Sequence, residues 1–427
     1  MKIETVLILG ASGTIGSLTG GLLAQNGIKI FFLSRTSAGS LKGLARAQKQ
    51  ARSETIAKHI TCGDYEGLLP DACRQADWII ECVAEDYSIK QGLYEKVDNL
   101  RRPDAIVSSV TSSLLLDELP KGRSASFRRH FLSTHFYNPP GKMTACEICG
   151  TSETDPAVVD FISDFCSSKL RRAVIRVKPT AGFAGNRLAF VLFARITELA
   201  AEFSVEMMDY LIGPYTGRLM PPLATLDLVG LDIHKAIIHS LAAHTDDAFH
   251  HKLVLPAYIE KMIETGHLGN KTRDKGGFYK KLESGDFMYI DPATGSYIPS
   301  FHPHVRFVET AKDQIHLAKY RQAFDTIVAV KGTEADIVRE ILATYIAYGY
   351  MLAGEVTDAE YGITGIDRVM STGFNWASPS LMVYMLGGKD RAMELIKMQN
   401  LPVPELLRTD DTCEHYIFNA GKYFPAK

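Results

Sequence analysis

The chain carries almost no net charge: 47 lysines and arginines stand against 49 aspartates and glutamates, a formal −2 at neutral pH. Without a basic excess, a sequence-independent grip on nucleic acid is not expected. Long apolar runs are missing too, and no stretch approaches membrane-spanning length. The N-terminus opens almost at once into Val6-Leu7-Ile8-Leu9, with neither a basic n-region nor a cleavage site, so no secretory leader is expected. Cysteine is scarce and odd in number. The seven residues (62, 73, 82, 146, 149, 166 and 413) are scattered, which argues against a disulfide framework and for reduced thiols in a cytoplasmic protein. Cys146-Glu147-Ile148-Cys149 is nominally a CxxC. A zinc site would want a second pair, and a redox CxxC should open a helix, whereas these cysteines flank Glu147 in an apolar stretch. His302-Pro303-His304 and His250-His251 lack acid or thiolate partners at ligand spacing, so no metal site is expected. What remains is an ordinary globular composition, 46% apolar and 22% charged, with 427 residues, enough for two or three domains.

The first segment alternates strand and helix. An apolar strand over Thr5–Leu9 runs into Gly10-Ala11-Ser12-Gly13-Thr14-Ile15-Gly16 and a helical run over Ser17–Gln25. After Gly27 a second apolar strand, Lys29–Leu33, ends at Ser34-Arg35. Strand, glycine turn, helix, strand is the setting in which glycines let the backbone approach a pyrophosphate at a helix N-terminus. The spacing here is Gly-x-x-Gly-x-x-Gly, one residue longer than the usual pattern. A hydroxyl and a guanidinium at the end of the second strand, Ser34 and Arg35, suit a ribose 2′-phosphate better than a free ribose hydroxyl, which tilts the cofactor toward NADP. A solvated loop charge explains Arg35 nearly as well. Further apolar strands at Ile60–Cys62, Trp78–Val83 and Ala105–Val110, with a helix over Asp86–Leu100, predict a parallel sheet. Residues just past the strand ends, Ala84-Glu85 and Thr111-Ser112-Ser113, then face the ligand crevice.

The stretch Phe131–Glu147 places His135 and Glu147 twelve residues apart across Asn138-Pro139-Pro140-Gly141, in two short apolar strands. Each ionisable group would be costly to bury alone, and the pair offsets that cost. A carboxylate beside an imidazole fixes its tautomer and prepares it as a general base. A structural hydrogen-bonded pair is the plainer explanation for these two residues taken by themselves.

Several motifs recur in one order: Ile80-Glu81-Cys82-Val83-Ala84-Glu85-Asp86 with Lys90, Thr111-Ser112-Ser113-Leu114, His135-Phe136-Tyr137-Asn138-Pro139, Glu147, and Gly182-Phe183-Ala184-Gly185-Asn186-Arg187. Leu226-Asp227-Leu228-Val229-Gly230-Leu231-Asp232, Gly269-Asn270-Lys271-Thr272 and Gly277-Phe278-Tyr279 follow. This chain resembles the L-3-hydroxyacyl-CoA dehydrogenases, most of all the dehydrogenase part of multifunctional fatty acid β-oxidation proteins. The resemblance implies a Rossmann-type NAD(P)-binding α/β domain and an all-α C-terminal region. It implies His135 as general base, Glu147 orienting its ring, Ser112 on the reacting oxygen and the nicotinamide region, and Asn186 positioning the substrate. Cofactor contacts would come from Gly10, Gly13, Ile15, Gly16, Ser34, Arg35, Val83, Glu85, Lys90, Ser112, Asn138 and Lys271. The partner implied is a small-molecule acyl-CoA. Departures are Val110 in place of an asparagine, Ser34 in place of an acid, the small pair Ala184-Gly185, and a short segment between the second strand and Ile60. Arg46, Lys49 and Arg52 there suit nucleotide phosphates or a solvated helix face equally. These departures keep open NAD against NADP, and a free hydroxy acid or polyol against the CoA thioester. A nicotinamide-binding sensor without turnover is disfavoured by the joint presence of Ser112, His135, Glu147 and Asn186.

From Asn186 the chain turns helical, with Leu188, Val191, Leu192, Ile196 and Leu199 at three-four spacing. A displacement of 158 residues superposes Asp209 on Asp367, Pro221 on Pro379, Gly230 on Gly388 and Asp232 on Asp390. Two repeated helical modules are therefore expected. Thr344 falls opposite Asn186 and no second His–Glu pair exists, so one active site per chain is expected, in a monomer or a homodimer that depends little on its partner. The domains expected are 1–180 for the dinucleotide, 181–285 for the first helical module, 286–330 for an excursion and linker, and 331–427 for the second module. Lys280–Pro303 reads as a hairpin-like excursion with a turn at Asp291-Pro292-Ala293-Thr294-Gly295.

Overall fold

A computed structural model describes residues 1–410 and 422–424; Cys413 and the end of the expected second module lie outside the described residues. The chain forms two compact units. One comprises residues 1–183 with 356–358 and 372–374, and the other comprises 184–355, 359–371 and 375–427.

The first unit is built on eight strands: β1 (Thr5–Leu9), β2 (Lys29–Ser34), β3 (Ile60–Asp64), β4 (Trp78–Glu81), β5 (Ile106–Ser109), β6 (Phe131–Phe136), β7 (Ala145–Gly150) and β8 (Ala173–Arg176). Their order is β3-β2-β1-β4-β5-β6-β7-β8. The first six run parallel, β7 runs antiparallel to β6, and β8 runs parallel to β7. Helices α1 (Thr14–Gln25), α2 (Ser37–Ala51), α3 (Leu69–Gln75) and α4 (Tyr87–Leu100) make the crossovers among β1 to β5. Strands covered on both faces need continuous apolar sequence, and Val6, Leu7, Ile8 and Leu9 of β1 are all fully buried. The strand order reverses between β1 and β4, which opens a crevice at their carboxyl ends. Two later segments belong to this unit: Thr357 bridges Val177, and Thr144 N donates to Thr372 O.

The second unit is helical, with one small three-stranded antiparallel sheet of Tyr279–Lys281, Phe287–Ile290 and Tyr297–Pro299. The sequence suggests only a hairpin-like excursion here. The third strand is three residues long and ends in proline, too short for a period-two pattern to register. The turn at Asp291 forms, with Gly295 N donating to Asp291 O at 2.8 Å. Parallels at the 158-residue displacement are visible. Gly230 and Gly388, at φ 103° and 101°, each precede a helix, Leu231–His244 and Lys389–Met398. The buried carboxylates of Asp209 and Asp367 each accept backbone N–H groups near a helix start, from Leu223 and Ala224 for one and from Ser380 for the other. The displacement fails at the long helices, however. Asn186 is the second residue of helix Gly185–Phe203, and the second residue of helix Thr333–Leu352 is Glu334, not Thr344. The displacement was set by glycines and prolines further along, and a length difference ahead of them is invisible to it.

Asp227, 4% exposed in helix Pro222–Val229, shows what secures the turn before the small sheet. Its carboxylate accepts from Phe278 N at 2.8 Å and Tyr279 N at 2.9 Å, and its backbone carbonyl accepts from Asn270 N. An Asp227→Asn side chain would turn a donor toward one of the two amides. The substitution should destabilise the protein by about 1–3 kcal/mol, read from the urea midpoint, because a buried donor loses its acceptor. A shift below about 0.5 kcal/mol would show that the amides do not depend on this carboxylate.

Candidate active site

The antiparallel return of β7 along β6 sets His135 directly opposite Glu147. Paired residues in this register share a face, so the two side chains meet. His135 Nδ1 lies 2.7 Å from Glu147 Oε2, with the Glu147 side chain wholly buried and that of His135 12% exposed. A carboxylate oxygen accepts hydrogen bonds, so the contact suits an Nδ1–H donor, and Nε2 takes no part in it. Tyr137, two residues along and therefore on the same face, donates its hydroxyl to the same Oε2 at 2.8 Å. Burial, and then the charge of Glu147, holds the Tyr137 hydroxyl well above its ordinary range, so it stays a neutral donor. Its ring packs edge-on to His135 at 4.7 Å and to Phe374 at 5.4 Å, while Phe183 lies 5.9 Å from the imidazole. The sequence expectation paired His135 with Glu147 and missed Tyr137, which the i, i+2 periodicity of a strand could have supplied.

At the crevice, Gly10 and Ala11 both donate backbone N–H to Leu33 O, folding the loop after β1 against β2. Gly10 has φ +86°, and a Cβ there would lie 2.4 Å from Cys82 O; one on Gly16 would lie 2.7 Å from Gly10 O. Only glycine allows this approach. Helix α1 then opens with Gly13 as its cap, no capping side chain and no acid in its first turn. Its free amides suit an anion, and the loop therefore fits a pyrophosphate. Ile15 is half-buried beside it. Arg46 of α2 donates to Ser12 O at 3.0 Å and Ser17 Oγ at 3.3 Å, which holds a guanidinium at the loop. Ser34 is 3% exposed, with its hydroxyl donating to Thr36 O at 2.8 Å and 3.0 Å from Ser40 Oγ. The hydroxyl is turned inward, while Arg35 is exposed. In the sheet register Ser34 faces Asp64, whose carboxyl is held below its ordinary range, first by the Ser37 hydroxyl and then by Gly67 N.

A second buried acid lies at the end of β4. Both carboxylate oxygens of Glu81 accept from Lys90 Nζ, at 2.7 and 2.8 Å, and the carboxylate also accepts from Tyr94 at 2.6 Å, from Ser109 at 2.7 Å and from Val83 N at 2.7 Å. Lys90 is fully buried, and its Nζ also lies 3.1 Å from Glu85 Oε2. Burial works against charge on Lys90, but Glu81 and Glu85 outweigh it and hold the ammonium above its ordinary range. Glu85 Oε1 accepts from Thr111 Oγ1, Ser112 N and Ser113 Oγ. Burial pushes the Glu85 carboxyl up, yet Lys90, Thr111 and Ser113 together hold it below its ordinary range. Ser112 N is thus fixed, whereas its Oγ makes no hydrogen bond among the described residues. The Ser112 carbonyl accepts from Gly182 N at 3.2 Å, next to Phe183 on the imidazole. Asn138 is exposed just past β6. The first unit therefore gathers His135, Glu147, Ser112, Glu85, Lys90 and the glycine loop at one edge of its sheet. Asn186 and Lys271 belong to the second unit, Asn186 7% exposed and Lys271 ion-paired with Asp232. Among the described residues no group of three His, Cys, Asp or Glu side chains could hold a metal. Cys146 and Cys149 are buried within β7.

Comparison with known proteins gives this geometry a family. The model of the 3-hydroxyacyl-CoA dehydrogenase NAD binding domain matches residues 5–180, and that of the 3-hydroxyacyl-CoA dehydrogenase C-terminal domain matches residues 182–281. A probable 3-hydroxyacyl-CoA dehydrogenase of Bacillus subtilis is 30% identical over 92% of this chain and 52% of its own length, so the chain spans about half of that relative. A probable 3-hydroxyacyl-CoA dehydrogenase of Deinococcus radiodurans is 30% identical over 66% of this chain and 84% of its own length. The crystal structure of (S)-3-hydroxybutyryl-CoA dehydrogenase PaaH1 from Ralstonia eutropha superposes with a TM-score of 0.55 at 25% identity, covering 64% of this chain and 97% of that one. With both family domains matched in order and a relative covered over most of its length, the chain belongs to the 3-hydroxyacyl-CoA dehydrogenase family.

Proposed function

We propose that the chain is a 3-hydroxyacyl-CoA dehydrogenase that interconverts an L-3-hydroxyacyl-CoA and the matching 3-oxoacyl-CoA. The observation that carries this reading is the imidazole of His135, held at Nδ1 by a buried carboxylate with Nε2 left open, in a chain of this family. A nicotinamide nucleotide, when bound, supplies the hydride acceptor. His135 Nε2 takes the C3 hydroxyl proton during oxidation and returns it during reduction. Glu147 keeps the ring in that tautomer and stabilises the imidazolium, while Tyr137 holds the carboxylate in place. Ser112 Oγ hydrogen-bonds the reacting oxygen, and Asn186 positions the acyl group. The glycine loop and the start of α1 take the pyrophosphate, with Val83, Asn138 and Lys271 as further cofactor contacts. The Ralstonia eutropha enzyme acts, by its name, on a short 3-hydroxyacyl thioester, which supports the same substrate class here. The His135–Glu147 pair in the first unit supports one such site per chain, and the parallels between the two halves of the helical unit support a duplicated module.

The family's NAD binding domain supports NAD as the cofactor. We infer that NADP is tolerated as well, through Arg35 alone, because the Ser34 hydroxyl is already committed inward. Asp64 beside it disfavours a second phosphate, so NAD remains preferred.

Reduction of 3-oxoacyl-CoA chains of several lengths, and of the matched free 3-oxo acids, with NADH and NADPH tests the substrate class. Thioester activity is expected; activity confined to free acids would overturn it. His135→Ala should lower kcat by about 10²–10⁴-fold, the range of a lost general acid–base group. Glu147→Gln should lower kcat while leaving KM for NADH within about two-fold, since it acts on the imidazolium and not on the nucleotide. Equal losses in both would mark the pair as structural. Arg35→Ala should raise KM for NADPH and leave that for NADH unchanged; an unchanged ratio would remove Arg35 from cofactor choice.

A further inference from the structure

The family reading makes Lys90 a cofactor contact, but its donors are already spent. A lysine has three N–H groups. In this structure Nζ meets Glu81 Oε1, Glu81 Oε2 and Glu85 Oε2, at 2.7, 2.8 and 3.1 Å, and the side chain has no exposed surface. We propose that Lys90 and Glu81 are positioning residues that act through Glu85 on the loop carrying Ser112. This rests on the role given above to Ser112 in the reaction.

The linkage runs in one direction through four connected groups. Glu81 closes β4 in the middle of the sheet and is held by Tyr94 from α4, by Ser109 from the end of β5 and by its own turn through Val83 N. That rigid carboxylate fixes the ammonium, and the ammonium fixes one oxygen of Glu85. The other oxygen of Glu85 collects Thr111 Oγ1 at 2.5 Å, Ser113 Oγ at 3.0 Å, Ser112 N at 3.2 Å and Ser113 N at 3.4 Å. A parallel tie reaches the same loop, because Thr111 N donates to Ser109 Oγ, which itself donates to Glu81. Three consecutive residues after β5 are thereby tied to one carboxylate, and the side chain between the two buried ones, Ser112, keeps its hydroxyl uncommitted. Such an arrangement fixes where a free hydroxyl stands without touching what it binds. A displacement of one ångström in a positioning group is worth up to about a hundred-fold in rate. A buried ion pair is a weak route to stability in general, which leaves geometry as the service this one performs.

The test uses the full chain with Glu81→Gln and Lys90→Met combined, so that neither member of the fully buried pair is left charged alone, while Glu85, 30% exposed, keeps its hydroxyl and backbone donors. Glu81→Gln alone leaves Lys90 its ion pair with Glu85 and serves if the double variant does not fold; it should show the same pattern at smaller amplitude. Three readouts are taken: kcat and KM with 3-oxoacyl-CoA, the Kd of NADH from fluorescence, and amide hydrogen exchange. The proposal expects kcat to fall by about ten- to a hundred-fold, Kd for NADH to stay within about two-fold, and exchange to quicken at Ser112 and Ser113 beyond the rest of the sheet. A rise in Kd for NADH with kcat retained would make Lys90 a cofactor ligand and overturn it. Wild-type kcat and exchange in a folded variant would overturn it too. The exchange readout needs no turnover, so a wild-type protein inactive on thioesters would sink the proposed substrate while leaving the linkage to be judged by exchange.

Discussion

A carboxylate with no exposed surface at position 147 has to be satisfied inside the protein, and that requirement organises the edge of the first unit. Two of its hydrogen-bonding neighbours, His135 and Tyr137, come from one face of one strand and its immediate exit. They can both reach it only because β7 turns back on β6 after six parallel strands. A parallel neighbour would enter from the other end of the sheet, needing a crossover, and could not set these residues opposite each other twelve apart in sequence. The antiparallel reversal is thus what brings the pair together. Breaking one partner of such a buried group costs about 3–5 kcal/mol, so the pair constrains the strands as much as the strands constrain the pair.

The same logic appears a second time three strands away, in β4. Glu81 is as buried as Glu147, but its partner is a permanent cation and its other donors are hydroxyls and a backbone amide. Both acids sit where strands end at the crevice side, and each passes its order outward, one to an imidazole and the other to a serine loop. The glycine loop completes the edge from the opposite direction, by subtraction of side chains rather than by placement of charges. Backbone approach at Gly10 and Gly16 and buried acids at 81 and 147 are different physical means of fixing atoms at a common sheet edge.

Much of this edge is legible in the sequence, for reasons that vary by element. The strand over Thr5–Leu9 and the helix over Asp86–Leu100 agree with the structure to within a residue, because continuous apolar runs and a capping aspartate are local signals. His135 and Glu147 stand out because two ionisable residues in apolar strands across a proline turn are rare. Glu81 does not stand out, since an acid ending an apolar strand looks like a strand emerging into solvent. Its burial depends on Tyr94 and Ser109, 13 and 28 residues away, which no window contains. Lys90 reads as an available cation for the same reason. The joining of residues 356–358 and 372–374 to the first unit is equally illegible, since one segment links two helical elements and the other ends helix Ile363–Gly373, both far in sequence from the sheet. Gly373, whose added Cβ would press within 3.1 Å of the Tyr137 ring, lies 236 positions from the tyrosine it packs on.

The two buried acids also differ in what a proton would do beside them. Glu81 holds a lysine, whose ammonium Glu81 and Glu85 keep above its ordinary range against the pull of burial. Glu147 holds a histidine, and in the proposed reaction a proton taken up by that ring would meet a carboxylate already at Nδ1, where an isolated buried imidazolium would be costly. Tyr137 sharpens the contrast: its hydroxyl is held far from ionisation and supplies a hydrogen bond without supplying a proton. In the proposed reaction one acid serves position and the other a change of charge. Adjacent ends of one sheet can serve both needs because the partners differ, a lysine for the first and a histidine for the second.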